Sequence, residues 1–201
     1  MNVLVTGGAG YIGSHVVYDL LNGGHKVFVI DRDKKACDHL KKKLSRRKKL
    51  TVYCGDVEDN IFTENILSTE DINAVIHLAA FISVRESVED PVKYFYNNTA
   101  KTIKLLSLIE KYRIPRFIFS STAAVYGDVN QEDMPLTEES SVQPANPYGM
   151  SKLLVEHVVE KMAEVNDDFS YVAFRYFNVA GNDVDSRVTD PRWREKENLV
   201  P

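Results

Sequence analysis

Residues 3–13 read VLVTGGAGYIG: an apolar run, then Gly7, Gly10 and Gly13, then a segment with apolar residues at helical spacing. That order predicts a strand, a glycine-rich turn and the start of a helix. Gly7 permits the tight turn, Gly10 lets backbone approach a pyrophosphate, and Gly13 lets the helix pack close to the strand. The first turn of such a helix offers free N–H groups and a partial positive charge to an anion. The apolar run VFVI at 27–30 predicts a second buried strand, and it ends in Asp31. An acid at that distance is placed to bind the ribose hydroxyls of an adenine dinucleotide.

Working outward, short apolar runs alternate with longer amphipathic ones. Strands are predicted at 2–6, 26–30, 50–54, 73–78, 115–120 and 170–175, and helices near 11–22, 34–44, 59–68, 91–112 and 147–166. Strands rich in Val and Ile that alternate with helices imply βαβ units and a parallel sheet with right-handed crossovers. The predicted fold is α/β, a doubly wound parallel-sheet Rossmann fold. Its ligands sit at the carboxyl ends of the strands. The segment KKACDHLKKKLSRRKKL at 34–50 is strongly basic and is expected to be a solvated helix and loop, given a net charge of −4. From 179 onward the sequence is polar and turn-rich, and it is expected to leave the sheet as a loop.

Length and composition frame this reading. The 201 residues suffice for one good core, and 44% hydrophobic with 27% charged residues is ordinary for a globular protein. The acidic balance gives no reason to expect nucleic acid as a partner. No apolar run approaches the ~20 residues of a membrane span, and the N-terminus enters a strand directly rather than a signal peptide. Cys37 and Cys54 are the only cysteines and lie in no metal or redox spacing, so a cytoplasmic location is expected. The five histidines, His15, His25, His39, His77 and His157, are scattered, and no metal site is expected.

Tyr148 and Lys152 lie in NPYGMSK, where Pro147 suits the first position of a helix. A spacing of four sets both side chains on one face, one turn apart. An ammonium beside a phenol favours the phenolate, so the expectation is a Tyr148 pKa lowered from ~10 and a tyrosine able to act as a general base. FIFSSTAAVYG at 117–127 predicts an apolar strand opening into a hydroxyl-rich loop at a carboxyl strand end. There Thr122 could exchange hydrogen bonds with a substrate hydroxyl and aim it at Tyr148.

In combination and order, TGGAGYIG (6–13), GDV (55–57), HLAA (77–80), SSTAAVYG (120–127), YGMSK (148–152) and RYFNVAG (175–181) resemble the extended short-chain dehydrogenases/reductases, in their nucleotide-sugar epimerase branch. The resemblance covers nearly the whole chain. It implies that Gly7, Gly10, Tyr11, Ile12 and Gly13 hold the NAD pyrophosphate and that Asp31 holds the adenine ribose. Asp56 and Val57 would flank the adenine, and Leu78, Ala79, Ala80 and Asn97 would line the cofactor cleft. Ser120 and Tyr176 would meet the nicotinamide. Thr122, Tyr148 and Lys152 would be catalytic, and Tyr148 and Thr122 would also touch the substrate. Phe177, Asn178, Asn198 and Leu199 would contact a UDP-sugar.

The implied reaction is NAD-dependent C4 epimerisation of a UDP-hexose (UDP-galactose/UDP-glucose) through a 4-keto sugar, with Tyr148 as base. Another nucleotide-sugar epimerase, a decarboxylase, or a non-catalytic NAD-binding module are the alternatives. Related 4,6-dehydratases carry an Asp-Glu pair after the threonine; here Ala123 and Ala124 cannot transfer protons. Two further departures concern the cofactor. Arg32 follows Asp31 and could meet a 2′-phosphate, but the Asp31 carboxylate would repel one, so NAD is expected. Ile82 stands where the family often has a lysine.

The resemblance also implies a homodimer through the helices at 91–112 and 147–166. Family members are much longer than 201 residues. The expected division is an NAD-binding Rossmann domain at 1–178 and the beginning of a substrate-binding region at 179–201. Turnover by these residues alone is left in question.

Overall fold

The computed structural model describes residues 1–183, 185, 187 and 188. Its centre is a parallel sheet of six strands in the order β3-β2-β1-β4-β5-β6, with β1 at Asn2–Thr6, β2 at Lys26–Asp31, β3 at Leu50–Cys54, β4 at Ala74–His77, β5 at Arg116–Thr122 and β6 at Ser170–Tyr176. The order reverses between β1 and β4. In an open α/β sheet that switch point opens a crevice above the carboxyl ends of the strands.

Side-chain alternation along each strand divides the core in two. Leu4, Phe28, Ile30, Val75, Phe117 and Phe119 point to one face, where they meet α3 (Asn60–Thr69), α6 (Lys101–Lys111) and α7 (Pro147–Glu164). Val3, Val5, Val27, Val29, Ala74 and Ile76 point to the other, under α1 (Tyr11–Asn22) and α2 (Lys34–Lys43). The doubly wound expectation holds, and the six strands fall where the sequence placed them, with ends differing by at most two residues.

The basic segment becomes α2, which buries Ala36, Cys37 and Leu40 and turns Lys34 and Lys35 to solvent. Past β6 the chain does not simply leave the sheet. The Tyr11 hydroxyl donates to the Gly181 carbonyl, Arg187 stacks over the Tyr18 ring at 4.9 Å, and Val188 is buried in the core on the α1–α2 side.

Two elements correct the sequence reading. An additional short helix, α4, spans Val84–Glu89, and its N-cap Ser83 accepts from Glu86 N. The helix expected at 91–112 is divided into α5 (Pro91–Tyr94), a π-helical turn at Phe95–Ala100, and α6. A π turn adds a residue per turn and rotates the side chains that follow. Here Asn98 is buried, where its amide takes both polar groups of Phe81 backbone at 2.9 and 3.0 Å, while Asn97 lines the cleft.

Candidate active site

A cleft of about 800 Å³ lies above the switch point. Its floor is the glycine turn. Gly7 has φ 69°, Gly10 N donates to Gly7 O at 3.1 Å, and α1 starts one residue later. A Cβ on Gly13 would lie 2.2 Å from Gly7 O, so only a bare Cα lets α1 come this close to the turn. The start of α1 has no side-chain cap and no acid in its first turn. By contrast α2, α3, α4, α5 and α7 are each capped by their own side chain, from Asp33, Asp59, Ser83, Asp90 and Asn146. The first N–H groups of α1 therefore remain for an external anion. The glycine turn and open helix start offer the donors that a dinucleotide pyrophosphate requires, and the following acid offers the acceptor for ribose hydroxyls.

Asp31 sits at the end of β2. Its carboxylate accepts from Ala9 N at 3.1 Å and from Asp33 N at 3.0 Å, tying the acid to the glycine turn. Arg32 lies over the Phe81 ring at 4.6 Å and is 3.8 Å from Asp56. Asp56 also takes Lys101 Nζ at 3.0 Å. Burial works against the Asp56 charge, but the Glu58 N–H, Lys101 and Arg32 outweigh it and hold the carboxyl below its ordinary range.

At the other end, β5 delivers Ser120 and Thr122, and α7 delivers Tyr148 and Lys152. Asn146 caps α7 by accepting from Gly149 N at 2.9 Å, and Pro147 fixes the first helical residue, so Tyr148 starts the helix at the cleft wall. Its ring meets Tyr94 edge-on at 6.4 Å, and Thr122 is the neighbouring side chain that acts on its hydroxyl. Thr122 is the last residue of β5 rather than part of a loop, and a 3-10 turn at Ala123–Tyr126 follows it.

Lys152 is only 2% exposed. Its ammonium donates to the Ser120 carbonyl at 2.7 Å and lies 4.9 Å from the centre of the Phe119 ring. Burial pushes its pKa down from 10.5 to about 7. Nearby His77, held between Thr6 Oγ1 at 2.6 Å and Thr102 Oγ1 at 2.9 Å, is driven to about 3 by burial and then by the Lys152 charge.

This geometry overturns the expected phenolate. Burial raises the Tyr148 phenol above its ordinary value, and the Thr122 side chain offsets only part of that. Lys152 is spent on a backbone carbonyl and does not stabilise the phenolate in this state.

The lysine has a testable consequence. Between pH 7 and 10.5 the unfolded chain keeps the Lys152 proton that the folded chain releases, so raising pH stabilises the fold over that window. Above pH 9 the Cys37 thiol opposes this, because burial first, and then the Asp31 charge, hold it protonated up to about 12 in the folded chain. Urea unfolding between pH 7 and 9 should show stability rising by up to ~1.4 kcal/mol per pH unit, and Lys152→Met should flatten that slope.

The cleft brings together fifteen of the residues anticipated from the sequence: Gly7, Gly10, Tyr11, Ile12, Gly13, Asp31, Asp56, Val57, Leu78, Ala79, Ala80, Asn97, Ser120, Tyr148 and Lys152. Thr122 joins through Tyr148. Tyr176 pairs in register with Thr122 but stacks on Phe174 at 5.7 Å and does not line the cleft. Phe177 and Asn178 follow it, exposed. Asn198 and Leu199 lie outside the described residues. Among the lining residues that sequence reasoning missed are Phe81, Ser83, Glu86, Tyr94 and Lys101. They arrive from the β4 crossover and its π turn, and no strand-end rule points to them. Ile82, where a lysine was expected, also lines the cleft and is 65% exposed.

A doubly wound parallel sheet with a glycine turn and an uncapped helix start at its switch point defines a Rossmann-class protein. Residues 3–193 match the NAD dependent epimerase/dehydratase family, and the chain belongs to it. It is 42% identical over 187 residues to the UDP-glucose 4-epimerase of Haemophilus influenzae, an alignment covering 90% of this chain and 54% of that protein. Among solved structures it is similar to the UDP-glucose 4-epimerase of Bifidobacterium longum in complex with NAD+ and UDP. That match has a TM-score of 0.86 and 34% identity, covering 94% of this chain and 57% of that one. The Thermotoga maritima enzyme with UDP-glucose matches at TM-score 0.79 and 36% identity, over 90% of this chain and 57% of that one. The chain thus spans somewhat more than half the length of these relatives.

Proposed function

We propose that the chain binds NAD in the cleft and contributes the catalytic half of a UDP-hexose 4-epimerase. The observation that carries this reading is the meeting of Thr122, Tyr148 and Lys152 at the wall of a cleft whose floor is the uncapped glycine turn. Gly7, Gly10, Tyr11, Ile12 and Gly13 would hold the pyrophosphate and Asp31 the ribose. Asp56 and Val57 would flank the adenine, and Leu78–Ala80, Asn97 and Ser120 the rest of the dinucleotide. NAD supplies a reversible hydride acceptor for the sugar C4.

The protein's part is positioning and proton control. Thr122 aims the 4-hydroxyl. Tyr148 takes its proton and returns it after the 4-keto sugar has turned in the site. Lys152, one helical turn away, would supply the positive charge that makes the phenolate accessible once its ammonium turns from the Ser120 carbonyl toward the phenol. Residues 1–178 would form the NAD-binding domain, and Phe177, Asn178, Asn198 and Leu199 would open the UDP-sugar contacts. Both cysteines are free thiols, which supports the expected cytoplasmic placement. Val92, Tyr96 and Ile103, with Met150 and Leu154 of α7, are exposed apolar side chains that support a homodimer through these helices. Sedimentation of the protein as a monomer would remove that part of the reading.

The test is direct. The purified chain is mixed with NAD and UDP-galactose, and UDP-glucose is sought by NMR. Conversion that Tyr148→Phe abolishes supports the enzyme. NAD binding without conversion favours the non-catalytic module. On the binding side, Gly13→Ala should weaken NADH at least ~10-fold in a fluorescence titration, because the new Cβ forces α1 away from the turn. An unchanged Kd would detach the glycine turn from the cofactor.

A further inference from the structure

The chain's two cysteines, which the proposed reaction does not use, both stand next to Asp31, a residue that lines the cleft. Cys37 lies in the first turn of α2 and is buried, and Cys54 is the last residue of β3 and is exposed. Strand alternation sets Cys54 on the same sheet face as Leu50 and Val52, the face that α2 covers. The sheet register pairs Cys54 with Asp31. Cys37 Sγ donates to the Asp31 carbonyl at 3.4 Å, and the same oxygen accepts from Gly55 N, the residue after Cys54, at 3.0 Å. The strand register and the Cys37 hydrogen bond thus gather both cysteines around one backbone oxygen.

We propose that Cys37 and Cys54 form a reversible dithiol–disulfide pair, closed by hydroperoxides, that loosens dinucleotide binding when closed. The chemistry of the pair stands on its own geometry; its effect on binding rests on the dinucleotide reading of the cleft. Cys54, open to solvent, loses its proton and attacks a peroxide oxygen. The O–O bond breaks, the departing oxygen takes up a proton and leaves as water from hydrogen peroxide or as an alcohol from an organic hydroperoxide, and Cys54 becomes a sulfenic acid. Cys37 then attacks the Cys54 sulfur, its proton going to the departing oxygen. The S–O bond breaks, the S–S bond forms, and water leaves. Two thiols give up two electrons in all, and one hydroperoxide is reduced.

The roles follow from the surroundings. Burial and the neighbouring Asp31 charge push the Cys37 thiol up to about 12, which makes it the resolving sulfur and leaves the first attack to Cys54. Closing the pair removes the proton that Cys37 gives to the Asp31 carbonyl and draws the first turn of α2 toward the end of β3. Asp31 and the Asp33 cap are joined to that turn, so the ribose-facing carboxylate is displaced.

The experiment treats the 201-residue protein with hydrogen peroxide and maps the unreduced peptides by mass spectrometry, alongside NADH titration before and after. The expected product is a monomer with Cys37 linked to Cys54, two hydrogens lighter, binding NADH ~5-fold more weakly, with both changes reversed by dithiothreitol. In Cys37→Ser, Cys54 should stop at a sulfenic acid that dimedone traps. Wild-type Cys54 advancing to sulfinic acid with Cys37 still a thiol, or linking two copies of the chain, would overturn the pair. Linked protein that holds NADH as tightly as the reduced form would overturn the effect on binding. Reduced protein that fails to bind NADH would instead remove the dinucleotide reading, with the linkage result standing.

Discussion

Tyr148→Phe is expected to lower the rate of UDP-galactose conversion by about 10²–10⁴-fold, the range for removing a general acid–base group. It should leave NADH affinity unchanged within about twofold, because the ring that lines the cleft and meets Tyr94 is retained. In the proposed reaction the phenol is the group that exchanges a proton with the sugar 4-hydroxyl. Ala123 and Ala124, the next two residues after Thr122, have no proton to offer, and His77 is enclosed by Thr6 and Thr102. Burial holds the Tyr148 phenol protonated while Lys152 donates to the Ser120 carbonyl. For the base to act, the ammonium must leave that carbonyl and face the phenolate, and a charged lysine then regains the partner its burial denied it. The expected signature is a kcat that falls with little change in KM. A variant retaining a tenth or more of the wild-type rate would mean that another group carries the proton.

The sequence exposes the parts of this site that depend on local backbone. A glycine turn between a strand and a helix is determined by residues next to one another, so Gly7 to Gly13 and Asp31 were legible at once. Strand ends follow from apolar runs, and in a doubly wound sheet strand ends are where ligands gather, which located Asp56, Leu78 and Ser120. What depends on packing between distant segments was hidden. The π turn at Phe95–Ala100 arises where Asn98 satisfies the Phe81 backbone and bonds Ser151 of α7 at 3.2 Å, contacts that no periodicity announces. The helix spacing correctly set Tyr148 and Lys152 on one face, but it could not say that the lysine would turn to Ser120, because that choice is made by β5. The placement of Cys37 and Cys54 on either side of Asp31 was invisible for the same reason: strand register and helix docking create it.

Glu156→Ala is expected to cost about 3–5 kcal/mol of stability, the penalty for removing one partner of a buried ion pair. Tyr148, Lys152 and Glu156 recur every four residues and form one stripe of α7 facing the sheet. Where Lys152 reaches Ser120, Glu156 reaches the strand residues beside it. Its carboxylate accepts from the Ser121 hydroxyl and from Arg175 of β6, with Nη2 at 2.8 Å and Nε at 3.2 Å. The Glu156 side chain is 10% exposed and that of Arg175 22%. Arg175 in turn donates to the Tyr126 hydroxyl at 3.0 Å and lies 4.9 Å from the centre of its ring. One carboxylate therefore clamps α7, the end of β5, the turn after it and β6, which between them carry Thr122 and Tyr148. Without it Nε and Nη2 of Arg175 and the Ser121 hydroxyl lose their acceptor, and only Nη1 keeps its bonds to the Tyr126 hydroxyl and the Glu138 carbonyl. Glu156→Gln, which keeps the acceptor oxygen, should cost less, about 1–3 kcal/mol. Replacing both partners, Glu156→Leu with Arg175→Met, should recover most of the loss, since an apolar pair avoids the desolvation that the ion pair must offset. Urea unfolding midpoints of the three variants measure this. A loss below ~1 kcal/mol for Glu156→Ala would put the pair among solvent-screened surface ion pairs, and α7 would then owe its position to the apolar contacts of Val155 and Val159 with the sheet.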